Sequence, residues 1–155
     1  MPSLDAPPTR FGPFLERPWF RIAWNGMKAP LATTATVVKT LGHRGRLRIL
    51  ALLAQGETSV CQMAAALKMP VSTMSGLLLE LRTGGLVREE RRGKWVFYTL
   101  LDDPQSRGLL DVVLGQVQAD PQVRRDAAAA AKLRAKAPGI ACAAVGMTHG
   151  AKGKR

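Results

Sequence analysis

The segment LVREERRGKWVFYTLL, residues 86–101, most constrains what this chain can fold into. Its second half, residues 95–100, is β-branched and aromatic, and RRGK interrupts the run. That pattern predicts a two-stranded hairpin with Gly93 at the turn. Val96, Tyr98 and Leu100 then face one side and Trp95, Phe97 and Thr99 the other, because side chains alternate across a strand. The surrounding segments read as helix, so the fold must seat one small hairpin in a mainly α body.

Helical patterning starts at TTATVVKTLGH and continues through RLRILALLAQG, where Leu47, Ile49, Leu50 and Leu53 fall at helical spacing and Gly56 is a stop. A short helix follows in TSVCQMAAALKM, capped by Thr58 or Ser59, with Val60, Met63, Ala64 and Leu67 as its apolar face. PVSTMSGLLLELRTGG predicts a third helix in this group, with Pro70 in its first turn and Gly84-Gly85 at its end. After the hairpin, Asp103 caps a helix with Pro104 at its first position. Leu109, Leu110, Val113, Leu114 and Val117 form a stripe along it. DPQVRRDAAAAAKLRAKAPG predicts a more polar helix, broken at Pro138-Gly139.

The chain divides into three expected parts. Residues 1–30 hold six prolines and form an extended arm, whose Trp19, Phe20 and Trp24 are apolar enough to pack on the domain or its partner. Residues 31–120 carry the hairpin and core helices. Residues 121–155 are an Ala-rich helix and a basic flexible tail, with IACAAVGMTHGAKGKR fraying.

The formal charge is +12, which steers a chain toward polyanions. Residues 37–101 carry ten Lys and Arg against four acids, residues 121–155 carry eight against one, and residues 102–120 carry one against four. Two distant cysteines do not make a disulfide scaffold. No secretory leader and no apolar run of membrane-spanning length is evident, so a soluble cytoplasmic protein without a membrane partner is expected.

Helix, helix, short helix, helix, hairpin, helix is the order of a winged helix-turn-helix. Its turn lies at Lys68-Met69-Pro70, and the helix of Ser72–Arg82 is the one to enter a major groove. The hairpin is the wing. Its Arg91, Arg92 and Lys94 are placed for backbone phosphates, which set affinity and salt dependence more than sequence choice.

The motifs LG…RLRILALL, STMS…L..L...GLV and R.GKWVFYTL, in this order, resemble the arsenical-resistance-repressor (ArsR/SmtB) family of bacterial transcriptional regulators. The resemblance runs from about Thr36 to Asp120. It implies a homodimer through the first and last core helices, bound to an inverted repeat in promoter DNA. Leu109, Leu110, Val113, Leu114 and Val117 suit such an interface; packing within the chain's own core is the alternative. The groove-facing positions carried over are Val71, Ser72, Thr73, Ser75 and Gly76. Many members have Gln and His where this chain has Val71 and Gly76, so shape readout and phosphate contacts gain weight.

The sensor positions depart further. Arsenic-sensing members carry a motif like ELCVCDL before the recognition helix, whereas this chain has ETSVCQM, with Ser59 in place of the first cysteine and Cys61 matching the second. The Asp and His pattern of zinc-sensing members is missing from the last core helix, which has Asp111 and no His; His43 and His149 stand alone. Three readings of the cysteines stay open. Cys61 is a small core residue; or Cys61 and Cys142 act as a pair, in one chain or across the dimer, whose oxidation to a disulfide or polysulfide link lowers DNA affinity; or the pair binds trivalent arsenic or another thiophilic ion, completed by Ser59, Met147, His149 or a partner's cysteine.

The function expected is a DNA-binding repressor released by a thiol-directed signal at Cys61 with Cys142, requiring no cofactor. The alternative is a basic architectural DNA-binding protein with no inducer and structural cysteines. An enzyme using Cys61 as nucleophile is disfavoured, because Gln62 and Glu57 are poor candidates for the base that activates a thiol.

Overall fold

A computed structural model describes residues 30–146. The expected arm at 1–29, Met147 and His149 lie outside those residues. Helix α1 is Leu31–Leu41 and α2 is Arg44–Leu53, separated by Gly42 and by His43, whose ring nitrogen accepts from the Gly45 amide. A two-residue strand β1, Thr58–Ser59, leads into α3, Val60–Leu67, and then α4, Val71–Thr83. Strands β2, Val87–Arg92, and β3, Trp95–Leu100, turn at Gly93, whose φ of 60° lies in the region glycine occupies at no steric cost. Helices α5, Pro104–Val117, α6, Pro121–Arg134, and α7, Pro138–Ala144, complete the order.

Local chemistry sets these boundaries. Asp103 and Asp120 cap α5 and α6 through backbone amides, with Pro104 and Pro121 at the first helical position, where a missing N–H costs nothing. Ser59 and Gln62 form a reciprocal capping box at the start of α3.

The wing has a third strand that the sequence pattern did not predict. β1 pairs antiparallel with β3, matching Thr58 to Tyr98 and Ser59 to Phe97, so the sheet order is β1-β3-β2. Two residues carry no alternation to read, and their pairing comes from the tertiary fold.

One core holds the chain together. Ile49 and Leu50 of α2, Met63 of α3, Met74, Leu78 and Leu81 of α4, and Leu86 are fully buried in it. Tyr98 is buried on the same side as the half-buried Val96 and Leu100, as strand alternation requires. Val123 and Ala130 of α6 belong to this core too. No break in packing therefore follows residue 120, and α6 is part of the same folded unit. The segment after Pro138, expected to fray, instead begins with α7, which buries Ala141 and Cys142. Its small residues permit close approach to α3, so tertiary packing orders a stretch with little apolar bulk.

The stripe on α5 divides in two. Leu110 and Leu114 are buried in the chain's own core, while Leu109, Val113 and Val117 are only partly covered. As residues four apart, Leu110 and Leu114 share the inward face, which leaves Leu109, Val113 and Val117 as the part of the stripe open to a partner. The exposed apolar side chains on α1 and α5 are Leu31, Val38 and Val112.

Candidate nucleic-acid interface and cysteine pair

Helix α4 is amphipathic. Met74, Leu78 and Leu81 fix one face in the core, which turns Ser72, Thr73, Ser75 and Gly76 to solvent. Val71 is half-buried and packs on the core, leaving only part of its side chain for a base edge. A side chain at Gly76 would meet nothing within 4 Å, so the middle of the helix offers its backbone to a close partner. The turn before α4 is tightened by Lys68, held at φ 53° in the left-handed region, where non-glycine residues are uncommon. Glu80, on the exposed face, pairs with Arg46 of α2.

The wing is fastened to the body by charge. Arg82 at the end of α4 lies 2.6 Å from the Glu89 carboxylate, which also accepts from the Tyr98 hydroxyl at 2.8 Å. Burial, and then that carboxylate, push the Tyr98 phenol up to about 12. Arg92 donates to both Glu57 oxygens, at 2.5 and 2.8 Å, and to Glu90 at 2.8 Å. Arg92, expected to meet phosphate, thus has its fork shared with two carboxylates. Arg91 and Lys94 are exposed at the tip, and the Lys94 ammonium sits 4.9 Å from the centroid of the Trp95 ring.

Cys61 of α3 and Cys142 of α7 are joined in a disulfide, 81 residues apart in sequence and 4.9 Å apart at Cα. Ala141 completes this small buried cluster, and Ala65, Trp95, Leu133 and Val145 pack around it. The link is one of several between α3 or its flanks and the C-terminal helices. The Gln62 amide donates to the carbonyl of Leu133 at 2.9 Å. Arg134 donates to the Thr58 hydroxyl and the Leu52 carbonyl, each at 2.9 Å, and its partial burial lowers its pKa. Arg48 holds Asp126 through two bonds and reaches the Leu67 carbonyl at 3.1 Å. The helix behind the recognition helix is thus fastened to the C-terminal pair at both ends, with a reducible bond near its start.

The pair can do thiol chemistry: open to two thiols, close to a disulfide, or hold a thiophilic ion between two sulfurs. Ser59 lies fully engaged in the capping box. Among the described residues no three His, Cys, Asp or Glu side chains gather to hold a metal ion. Gln62, Arg48, Asp126, Arg134 and Trp95 are not expected at the site from the sequence pattern. The signal for Gln62 was present, since Ser59 and Gln62 stand at capping-box spacing. The long-range partners of the others have no such local signature.

A helix-turn-helix with its second helix exposed and a basic wing beside it defines a winged DNA-binding regulator. Residues 43–89 match the family described as bacterial regulatory protein, arsR family. The biofilm growth-associated repressor of Agrobacterium fabrum is 38% identical over 81 residues, covering 52% of this chain and 69% of that protein. The HTH-type transcriptional regulator KmtR of Mycobacterium tuberculosis is 32% identical over 110 residues, covering 71% of this chain and 85% of its own length. Among solved structures, the homodimeric winged helix-turn-helix DNA-binding domain Mb0332 of Mycobacterium bovis is 36% identical at a TM-score of 0.50, covering 58% of this chain and 84% of that one. HlyU from Vibrio cholerae is 28% identical at a TM-score of 0.52, covering 58% of this chain and 97% of that one. The chain belongs to the arsR family of bacterial regulatory proteins and is a transcriptional regulator. Among the described residues no helix is long and apolar enough to cross a membrane.

Proposed function

We propose that this regulator is a homodimeric repressor that occupies an inverted-repeat operator and releases it when Cys61 and Cys142 become joined. The observation that carries the reading is the bond between α3, which supports the recognition helix, and α7. Proteins acting on DNA in reducing surroundings seldom keep structural disulfides, so a disulfide here suits a sensing role. The name of the Agrobacterium relative supports repression, and the homodimeric Mb0332 domain supports assembly in pairs.

The chemistry balances with a peroxide as oxidant. One thiolate attacks a peroxide oxygen, forming a sulfenic acid and releasing hydroxide. The second thiol attacks the sulfenic sulfur, forming the disulfide and releasing water. A dithiol reductant returns two electrons and two protons to the sulfurs and is itself oxidised to a disulfide. Trivalent arsenic would compete for the same two thiols, and would need further ligands beyond those the described residues bring to the cluster.

A gel-shift titration of the reduced chain against its own promoter tests the reading. The expected result is at least about tenfold preference for one inverted repeat over random DNA at moderate salt. Equal affinities with a steep salt slope would make it the architectural protein instead.

A further inference from the structure

We propose that Trp95 is a positioning residue through which the cysteine pair sets the wing, an inference that rests on the sensing role proposed above. Trp95 opens β3, directly after the Gly93-Lys94 turn, and pairs with Arg92 across the ladder. Its indole packs on the Cys61, Ala141 and Cys142 cluster. At Gly139, in the first turn of α7, an added Cβ would stand 3.5 Å from the far edge of the indole ring, at Cζ2 and Cη2. The Lys94 ammonium sits over the same ring. A line of contacts thus runs from the disulfide, through one aromatic side chain, to a cation at the wing tip.

Helix α7 has seven residues, too few to stand alone in water. With the disulfide closed, it forms a fixed wall for the indole, and the indole holds Lys94 against the body. With the disulfide opened by a dithiol, α7 keeps only small apolar contacts and loosens. Trp95 then loses that wall, and the tip is free to bring Lys94 to a phosphate. Release of DNA on oxidation is chiefly the withdrawal of the wing. The indole is suited to the task because it offers a large rigid surface on one side and a face for a cation on the other.

The test uses the full chain with Trp19→Phe and Trp24→Phe, which leaves Trp95 as the one tryptophan of three. Its emission is recorded with the disulfide closed and after reduction, and operator affinity is measured in both states. The same titrations are run on Trp95→Ala, on Trp95→Phe, and on Gly139→Leu, which leaves the wing sequence untouched and pushes the indole off α7. Expected are a shift of emission to longer wavelength on reduction and a reduced-to-oxidised affinity ratio above one. That ratio falls to within about twofold of unity in Trp95→Ala and Gly139→Leu, and falls part of the way in Trp95→Phe, which keeps a ring face for Lys94 but lacks the Cζ2–Cη2 edge. An unchanged emission, or a ratio that Trp95→Ala keeps at the parent value, overturns this inference alone. Equal affinity of the parent chain in both states overturns the proposed function, and this inference with it.

Discussion

Asp126 of α6 accepts two hydrogen bonds from the Arg48 guanidinium of α2, at 2.6 and 2.8 Å, and its carboxylate is almost wholly buried. Gln122 donates to the same carboxylate at 2.8 Å. The Asp126 hydrogen bond is the main cause of the raised Arg48 pKa. Removing one partner of such a pair strands the other charge. Asp126→Ala is therefore expected to cost about 3–5 kcal/mol in urea unfolding. Arg107→Ala, which loses only exposed pairs with Asp102 and Asp111, is expected to leave the unfolding midpoint nearly unchanged. Equal costs would show that α6 is not part of the cooperative core.

Gly76 separates folding from DNA contact. It lies inside α4 with open space beyond it. Gly76→Ala should stabilise the chain by up to about 1 kcal/mol through helix propensity. Gly76→Glu should leave the fold intact and, by setting a carboxylate against phosphates, abolish operator binding in a gel shift. A Gly76→Glu chain that binds as the parent does would place the groove on another face.

The wing cations are not equivalent. Arg91→Ala should weaken binding to all sequences alike and lower the salt slope by about one. Arg92→Ala should change the slope less, because three hydrogen bonds already commit its guanidinium to Glu57 and Glu90. Affinity titrations across a salt series check the order, and a larger effect at Arg92 would reverse it.

Tyr98 makes stability fall at high pH. Its folded pKa is pushed up to about 12, above the ordinary value near 10. Below the unfolded value both states hold the proton and the contribution is complete. Between the two values the unfolded chain loses its proton first, so stability declines as pH rises through that window. Denaturant midpoints from pH 9 to 12 should show this decline, and Tyr98→Phe should flatten it.

Much of the fold is written locally. Asp103-Pro104 and Asp120-Pro121 announce helix starts by capping chemistry that needs no neighbour, and Gly93 announces the wing turn. The exposed face of α4 follows from the spacing of Met74, Leu78 and Leu81. What was not legible depends on contacts across long separations. Arg134 reaches Thr58 over 76 positions, and Arg48 reaches Asp126 over 78. The meeting of Cys61 with Cys142 belongs to the same class. The sequence left it as one of three readings, because the ordering of α7 comes from packing on α3 and not from its own small residues.

The most direct measurement is operator binding by the parent chain, Cys61→Ser and Cys142→Ser, each titrated under a dithiol reductant and again after peroxide. All three are expected to bind tightly when reduced, the parent to release DNA on oxidation, and both serine variants to retain it. Release of both variants by peroxide, in step with the parent, would contradict it.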